Sequence, residues 1–167
     1  VYENGTGVGK NIDEAIEWYK KAASQNYSPA QYNLSVLYEK TANKKYVEAK
    51  NTLKIEFDKN LCTKKVFLSK QEQLEKAYKS GIGEFQDIKL AFSLCKQAAD
   101  KEHAAAQNSL GTLYMNGIGV VQDRAQALVC FKNAAAQNYA AAQYHLGMMH
   151  ENGIEVSKDL DQAINWY

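Results

Sequence analysis

The sequence predicts an all-α protein, a right-handed α-α superhelix (solenoid) of stacked helical hairpins. Three observations carry that prediction. Part of the chain repeats itself 36 residues further on. A single proline, Pro29, stands in 167 residues rich in alanine. Small and apolar residues recur at helical rather than strand spacing. Alanine is the cheapest residue to place in a helix and proline the most costly. Self-similarity at a period of roughly 20–50 residues marks units that bury their faces only by stacking.

The repeat is clearest near the C-terminus. "SLGTLYMNGIGVVQDRAQALVCFKNAAAQNYAAAQ" from Ser109 meets "HLGMMHENGIEVSKDLDQAINWY" from His145. Leu110 falls on Leu146, Gly111 on Gly147, Tyr114 on His150, Gly117 on Gly153, Asp123 on Asp159, Ala127 on Ala163, Cys130 on Trp166 and Phe131 on Tyr167. A shift of 36 in the other direction places Leu74, Tyr78, Gly81, Gly83, Asp87, Ala91, Ala98 and Ala99 in the same slots. A further shift of 76 reaches Tyr2, Gly5, Gly7, Asn11, Ala15, Trp18, Tyr19, Ala22 and Ala23.

Between these copies lies a degenerate one. "AQYNLSVLYEK" (30–40) keeps Leu34 and Tyr38 in register, but the glycine loop has become "TANKK", and extra residues follow within "LCTKKVF" (61–67). Tyr38 and Tyr78 are consequently 40 apart rather than 36. The expected organisation is one solenoid domain: a half unit 1–29, a degenerate unit 30–68 with an insertion near 61–67, units 69–105 and 106–141, and a half unit 142–167. The halves at both ends lead us to expect a piece of a longer array, with uncapped ends able to associate end to end.

Each element follows from local chemistry. Asn11 with Glu14, Ser69 with Glu72 and Asp159 with Gln162 read as capping boxes that open helices. Asp123 reads as an N-cap whose carboxylate accepts an orphan amide. In the first helix of a unit, Ala106, Leu110, Gly111 and Tyr114 form one stripe. Gly117 then ends that helix, since glycine takes positive φ without cost. The second helix carries Ala127, Leu128, Cys130, Phe131, Ala134 and Ala135 on one broad face. Gly111 and Ala127 permit close helix approach, while Tyr114 and Phe131 fill the gaps.

The stretch "GTGVGK" (5–10) looks like a phosphate loop, but a Walker loop needs glycine at residue 4, where Asn4 stands, and Ser or Thr after the lysine, where Asn11 stands. The same stretch recurs as "GIGEFQD", "GIGVVQD" and "GIEVSKD", so it is a hairpin turn of the repeat.

Composition narrows the function further. The net charge is +1 and Arg124 is the only arginine, which argues against specific nucleic-acid readout. No run of eighteen apolar residues is present to form a transmembrane segment. Cys62, Cys95 and Cys130 are widely spaced and form no CxxC pair, so neither zinc nor a disulfide framework is expected. Reduced thiols favour the cytoplasm, while sequons at Asn4, Asn26 and Asn33 keep a secretory lumen open. His145 and His150 do not converge on one helix face, and His150 holds a packing slot otherwise given to tyrosine. His103 is expected in a solvated loop between hairpins. No HExxH, Ser/His/Asp or Cys/His set is present in local sequence, and no cofactor is expected. Lys40, Lys44, Lys45, Lys50, Lys54, Lys59, Lys64, Lys65 and Lys70 face only Glu48, Glu56 and Asp58 across 40–70. Such an excess attracts acidic partners, membrane surfaces or nucleic acid; the plainer expectation is a solvated face.

The pattern A-x-x-x-L-G-x-x-Y-x-x-G-x-G-V-x-x-D-x-x-x-A-L-x-x-x-x-x-A-A stands at 106–135 as "AQNSLGTLYMNGIGVVQDRAQALVCFKNAA". It strongly resembles the Sel1-like repeat family, a relative of tetratricopeptide repeats. The resemblance covers nearly the whole chain and fails over 41–69, where the loop glycines and double alanine are missing. It implies a non-enzymatic adaptor with a protein or peptide partner, of the kind found in signalling, in endoplasmic-reticulum-associated degradation, in cell-wall synthesis and in bacterial–host interaction. Because some arrays are joined to catalytic domains such as kinases, the alternative it implies is a regulatory or spacer arm. Relatives linked to β-lactam binding pair their cysteines regularly within each unit, and this chain does not. By analogy with tetratricopeptide hairpins, the first helix of each unit lines a concave face. The register then assigns to that ridge Tyr32, Val36 and Glu39; Glu72, Lys76 and Lys79; Asn108, Thr112, Met115 and Asn116; and Tyr144, Met148, Glu151 and Asn152.

Overall fold

A computed structural model describes residues 11–59 and 61–167. Along them run α1 (Ile12–Ser24), α2 (Ser28–Asp58), α3 (Lys64–Ser80), a 3-10 turn (Gly83–Phe85), α4 (Gln86–Ala99), α5 (Ala104–Asn116), α6 (Arg124–Ala136), α7 (Ala140–Asn152) and α8 (Leu160–Trp166). No strand occurs among the described residues. The loop "GTGVGK" lies outside them, as do Tyr2, Gly5 and Gly7.

Helix ends follow the local signals. Asn11, Asp123 and Asp159 each accept the backbone amide three residues on, at 3.2, 2.9 and 2.9 Å. Gly81, Gly117 and Gly153 close α3, α5 and α7 at φ of 58°, 65° and 66°. After each glycine, the isoleucine amide reaches back to the helix: Ile82 to Ala77 O, Ile118 to Leu113 O and Ile154 to Met149 O, at 3.0, 3.0 and 2.9 Å. Such bonds satisfy carbonyls that a helix end otherwise leaves open.

Three expected boundaries are corrected. No turn forms at "TANKK": α2 runs unbroken through it to Asp58. The physical reason is the missing glycine together with packing: 41–45 has no glycine for the left-handed turn that stops α3, α5 and α7, and fully buried Ala42, packed with Phe85 and Ile88, holds the helix through Asn43. Ser69 is not a cap; α3 opens five residues earlier, with Thr63 accepting from Val66 N at 3.4 Å, so residues 64–67 are its first turn and not part of a looped insertion. Asp87 does not cap α4, because the 3-10 turn puts Phe85 in that position. Asp87 instead pairs with Lys45 at 3.6 Å.

The helices stack in a row: α1 on α2, α2 on α4, α4 on α5, α5 on α6, α6 on α7 and α7 on α8. The first half of α2 contributes Leu34 and Tyr38 to a core with Ala91 and Leu94 of α4. Its second half pairs with α3 outside the row. Tyr46 stacks on Tyr78 at 4.5 Å, Phe57 lies against Phe67 at 4.8 Å, and Lys70 meets Glu56 at 3.0 Å. α3 buries none of its residues.

Two devices set the spacing of the row. The first is small-to-large complementarity. A Cβ on Gly111 would lie 2.6 Å from Phe131, and one on Gly147 would lie 2.5 Å from Tyr167, so these glycines allow an aromatic ring to seat on the helix backbone. The equivalent positions in α2 and α4 are Ser35 and Cys95, both buried: the small residue has grown and the large one has shrunk. The second is a buried glutamine at the fourth residue of the first helix. Gln107 Nε2 donates to Ala99 O at 3.3 Å and its Oε1 accepts from Gln137 at 2.8 Å. Gln31 Nε2 likewise donates to Ala23 O at 3.4 Å, and its Oε1 accepts from Lys101 at 2.6 Å. Each glutamine ties its helix to the one before it and to the end of the following second helix. Buried amides retained inside a core need such partners.

Candidate partner-binding surface

The expected ridge residues occupy equivalent positions on α2, α5 and α7. Tyr32 is half-buried, packs beside the Cys95–Leu110 core and lies against the His103 ring at 5.0 Å. His103 is accordingly not a free loop residue. Its Nδ1 accepts from Ala106 N at 3.2 Å and caps α5. Val36 and Glu39 are half-buried one and two turns on, and burial pushes the Glu39 carboxyl above its usual range. On α5, Asn108 is half-buried and its Oδ1 is fully covered without a hydrogen-bond partner. Thr112 turns its hydroxyl back to Asn108 O at 3.3 Å, and Met115 packs on the core of α6 and α7. On α7, Tyr144 is 54% exposed and leans on Tyr167 at 5.7 Å. Glu151 accepts from the Tyr167 hydroxyl at 2.7 Å, which raises the phenol to about 12. Asn152 donates to Met148 O at 2.8 Å.

Glu72, Lys76 and Lys79 do not join this row, because α3 packs against the outer half of α2 and not between α2 and α5. They line a cleft of about 750 Å³ together with Asn116 and the loop Gly117–Gln122. The loop is fastened to α3 by Gly119 N donating to Lys79 O at 2.7 Å. Four of the expected residues thus come together, beside the hairpin loop that follows α5. Sequence reasoning missed their companions Lys89 and Val121, the latter 85% exposed. No local pattern signals a cleft made by helices distant in sequence.

Neither buried cysteine is prepared for nucleophilic chemistry. Burial pushes the Cys95 thiol up to about 12 and the Cys130 thiol up to about 11. A thiol held protonated is a poor nucleophile. Cys95 donates to Ala106 O at 3.3 Å and so fastens α4 to α5. His145 stacks on Phe131 at 4.5 Å, and its burial lowers its pKa. Among the described residues no cluster of His, Cys, Asp and Glu could hold a metal, and no helix is long and apolar enough to cross a membrane.

The Sel1 repeat model matches residues 1–27, 28–40, 76–103, 104–139 and 140–167. The chain belongs to the Sel1 repeat family. Among solved structures, it is similar to a Sel1 repeat protein from Oxalobacter formigenes, at 26% identity and a TM-score of 0.67. That likeness covers 99% of this chain and 51% of the relative, so the chain spans about half its length. It also matches a protective antigen with an SLR fold, present in uropathogenic Escherichia coli strains, at 27% identity and a TM-score of 0.48, over 99% of this chain and 42% of the other. No curated protein matches the sequence. Sel1 repeats are typically protein–protein interaction modules.

Proposed function

We propose that this Sel1 array is a non-enzymatic scaffold that holds a peptide segment of a partner protein along the ridge of its first helices. The ridge runs from Tyr32, Val36 and Glu39 through Asn108, Thr112, Met115 and Asn116 to Tyr144, Met148, Glu151 and Asn152. The observation that carries the reading is the register of half-buried Asn108 on α5 with Tyr144, 54% exposed, on α7, which puts an amide and an aromatic ring at equivalent positions of successive first helices. An amide side chain suits the backbone of a bound chain. Tyr144 beside it in register offers exposed aromatic area, and methionines adapt to varied side chains.

Peptides selected from a displayed random library against the full chain supply the test. Their affinities are compared for the wild type and the set Asn108→Ala, Asn116→Ala, Tyr144→Ala and Asn152→Ala. The expected result is loss of binding with unchanged far-ultraviolet circular dichroism. Peptides that bind the quadruple variant as tightly as the wild type would remove the ridge from consideration.

A further inference from the structure

We propose that residues 41–80 are an insertion that interrupts one repeat and projects a basic arm, and that the groove of this arm docks an acidic peptide segment bearing an apolar side chain. The surface is separate from the ridge above.

The insertion is read from register and packing together. The thirteen residues 28–40 align with 104–116, and the twenty-three residues 81–103 align with 117–139; joined, they make one unit of 36. Leu34 matches Leu110, Tyr38 matches Tyr114, Gly81 matches Gly117 and Ala98 matches Ala134. The fold pairs these two halves directly, since α2 packs on α4, and the bond from Lys101 to Gln31 repeats the bond from Gln137 to Gln107. The forty residues between them leave the row at Ala42 and return at Gly81. With a rise of about 1.5 Å per residue, the seventeen helical residues from Ala42 to Asp58 carry the arm about 25 Å outward. Its base is closed by Tyr46, Tyr78 and Phe85, and its far end by Phe57 against Phe67. Its contacts with the row lie at its base, where Leu74, Ala77 and Tyr78 pack on Phe85 and Ile88 and Lys79 O accepts from Gly119 N at 2.7 Å.

The arm holds ten lysines and five carboxylates, whereas the remainder of the chain, from totals of 20 basic and 19 acidic residues, holds ten and fourteen. The net charge of +1 hides this separation. Three of the arm's carboxylates are already engaged: Glu56 by Lys70 at 3.0 Å, Glu75 by Lys79 at 2.8 Å and Glu48 by Lys44 at 3.9 Å. A groove of about 390 Å³ between α2 and α3 is lined by Lys50, Asn51, Leu53, Lys54, Phe67 and Gln71. Lys50 and Lys54 stand one turn apart on its rim, and among the described residues no carboxylate forms an ion pair with either. Leu53 and Phe67 make an apolar floor, while the amides of Asn51 and Gln71 suit a peptide backbone.

These features select the occupant. Paired ammonium groups call for carboxylates at neighbouring positions, and the floor calls for one apolar side chain between them. A nucleic acid fits less well, because the arm has no arginine to fork onto phosphate.

Fluorescence anisotropy with a fluorescein-labelled peptide of repeated Glu-Glu-Leu-Gly tests the proposal on the full chain. A Gln-Gln-Leu-Gly peptide, oligo(dT) and phosphatidylserine vesicles are the competing probes. We expect the acidic peptide alone to bind, and to weaken as salt is raised. Lys50→Glu with Lys54→Glu should lower its affinity by about tenfold or more, since both charges become repulsive. Lys96→Glu with Lys132→Glu makes the same change of net charge on exposed positions of the row and should leave affinity within about twofold. The proposal is overturned by no binding of the acidic peptide, by equal loss in both double variants, or by preference for oligo(dT) or vesicles.

Discussion

Gly111 lets one substitution change sign with its background. In the wild type, alanine at 111 places a Cβ 2.6 Å from Phe131 Cε1 and 2.8 Å from Cδ1. Carbon atoms rest about 3.5–4.0 Å apart, so the ring would have to withdraw by about 1 Å. It has nowhere to go: Phe131 is 1% exposed and held against the His145 ring at 4.5 Å. Overpacking of this kind costs about 1–3 kcal/mol, against which alanine gains about 1 kcal/mol over glycine in a helix. Gly111→Ala should therefore destabilise the wild type by up to about 2 kcal/mol. Phe131→Cys, which copies the natural residue at position 95, removes the ring and should cost about 3–5 kcal/mol by itself. In that background the clash is gone and only the helix gain is left, so Gly111→Ala should stabilise by about 0.5–1 kcal/mol. A urea-denaturation double-mutant cycle reads the coupling, expected at about 1–3 kcal/mol. Phe131→Leu offers the same test of sign if the cysteine variant is too weak to fold. Equal shifts for Gly111→Ala in both backgrounds would refute the account of how neighbouring helices are spaced.

Two further outcomes follow from the fold. Deleting 41–80 joins Lys40 to Gly81, whose left-handed turn then serves as Gly117 does after Asn116. The array should still unfold cooperatively by circular dichroism, losing about 2–4 kcal/mol through uncovering Phe85 and Ile88; loss of cooperative unfolding would make α3 an integral helix of the row. His145 is depressed by burial below its ordinary value of 6.5, so the unfolded chain binds its proton more readily. Its contribution is fully present above that value and is lost as pH falls through it. The wild type should lose more stability than His145→Phe between about pH 7.5 and 5.5, and parallel urea midpoints for the two would contradict this.

The parts legible in the sequence act over short distances. Asn11, Asp123 and Asp159 cap the helices after them; Gly81, Gly117 and Gly153 end the helices before them; and Ala106 to Tyr114 mark one buried stripe. Each of these effects is complete within a few residues, so one chain segment contains all of its causes. The expected turn at "TANKK" failed partly on the same ground, because the glycine is not there, and partly through the packing of Ala42 with Phe85 and Ile88. The ridge on α2, α5 and α7 could be numbered from the register, but the cleft that gathers Lys76, Lys79 and Asn116 could not.

What the sequence by itself determined is the repeating unit and its family, since stripe, cap and glycine are properties of one hairpin. Which hairpin partners which was decided by tertiary structure. "LYEK" before residue 41 and "AYKS" before residue 81 end in the same local pattern, so either α2 or α3 could have stood beside α4. The choice rests on contacts across the row. Leu34 and Ser35 bury against α4 and Gln31 receives Lys101, whereas α3 has no fully buried residue and only leans Leu74, Ala77 and Tyr78 on Phe85 and Ile88. A helix is specified by its own neighbours in sequence, while its partner is specified by the surface it must fill.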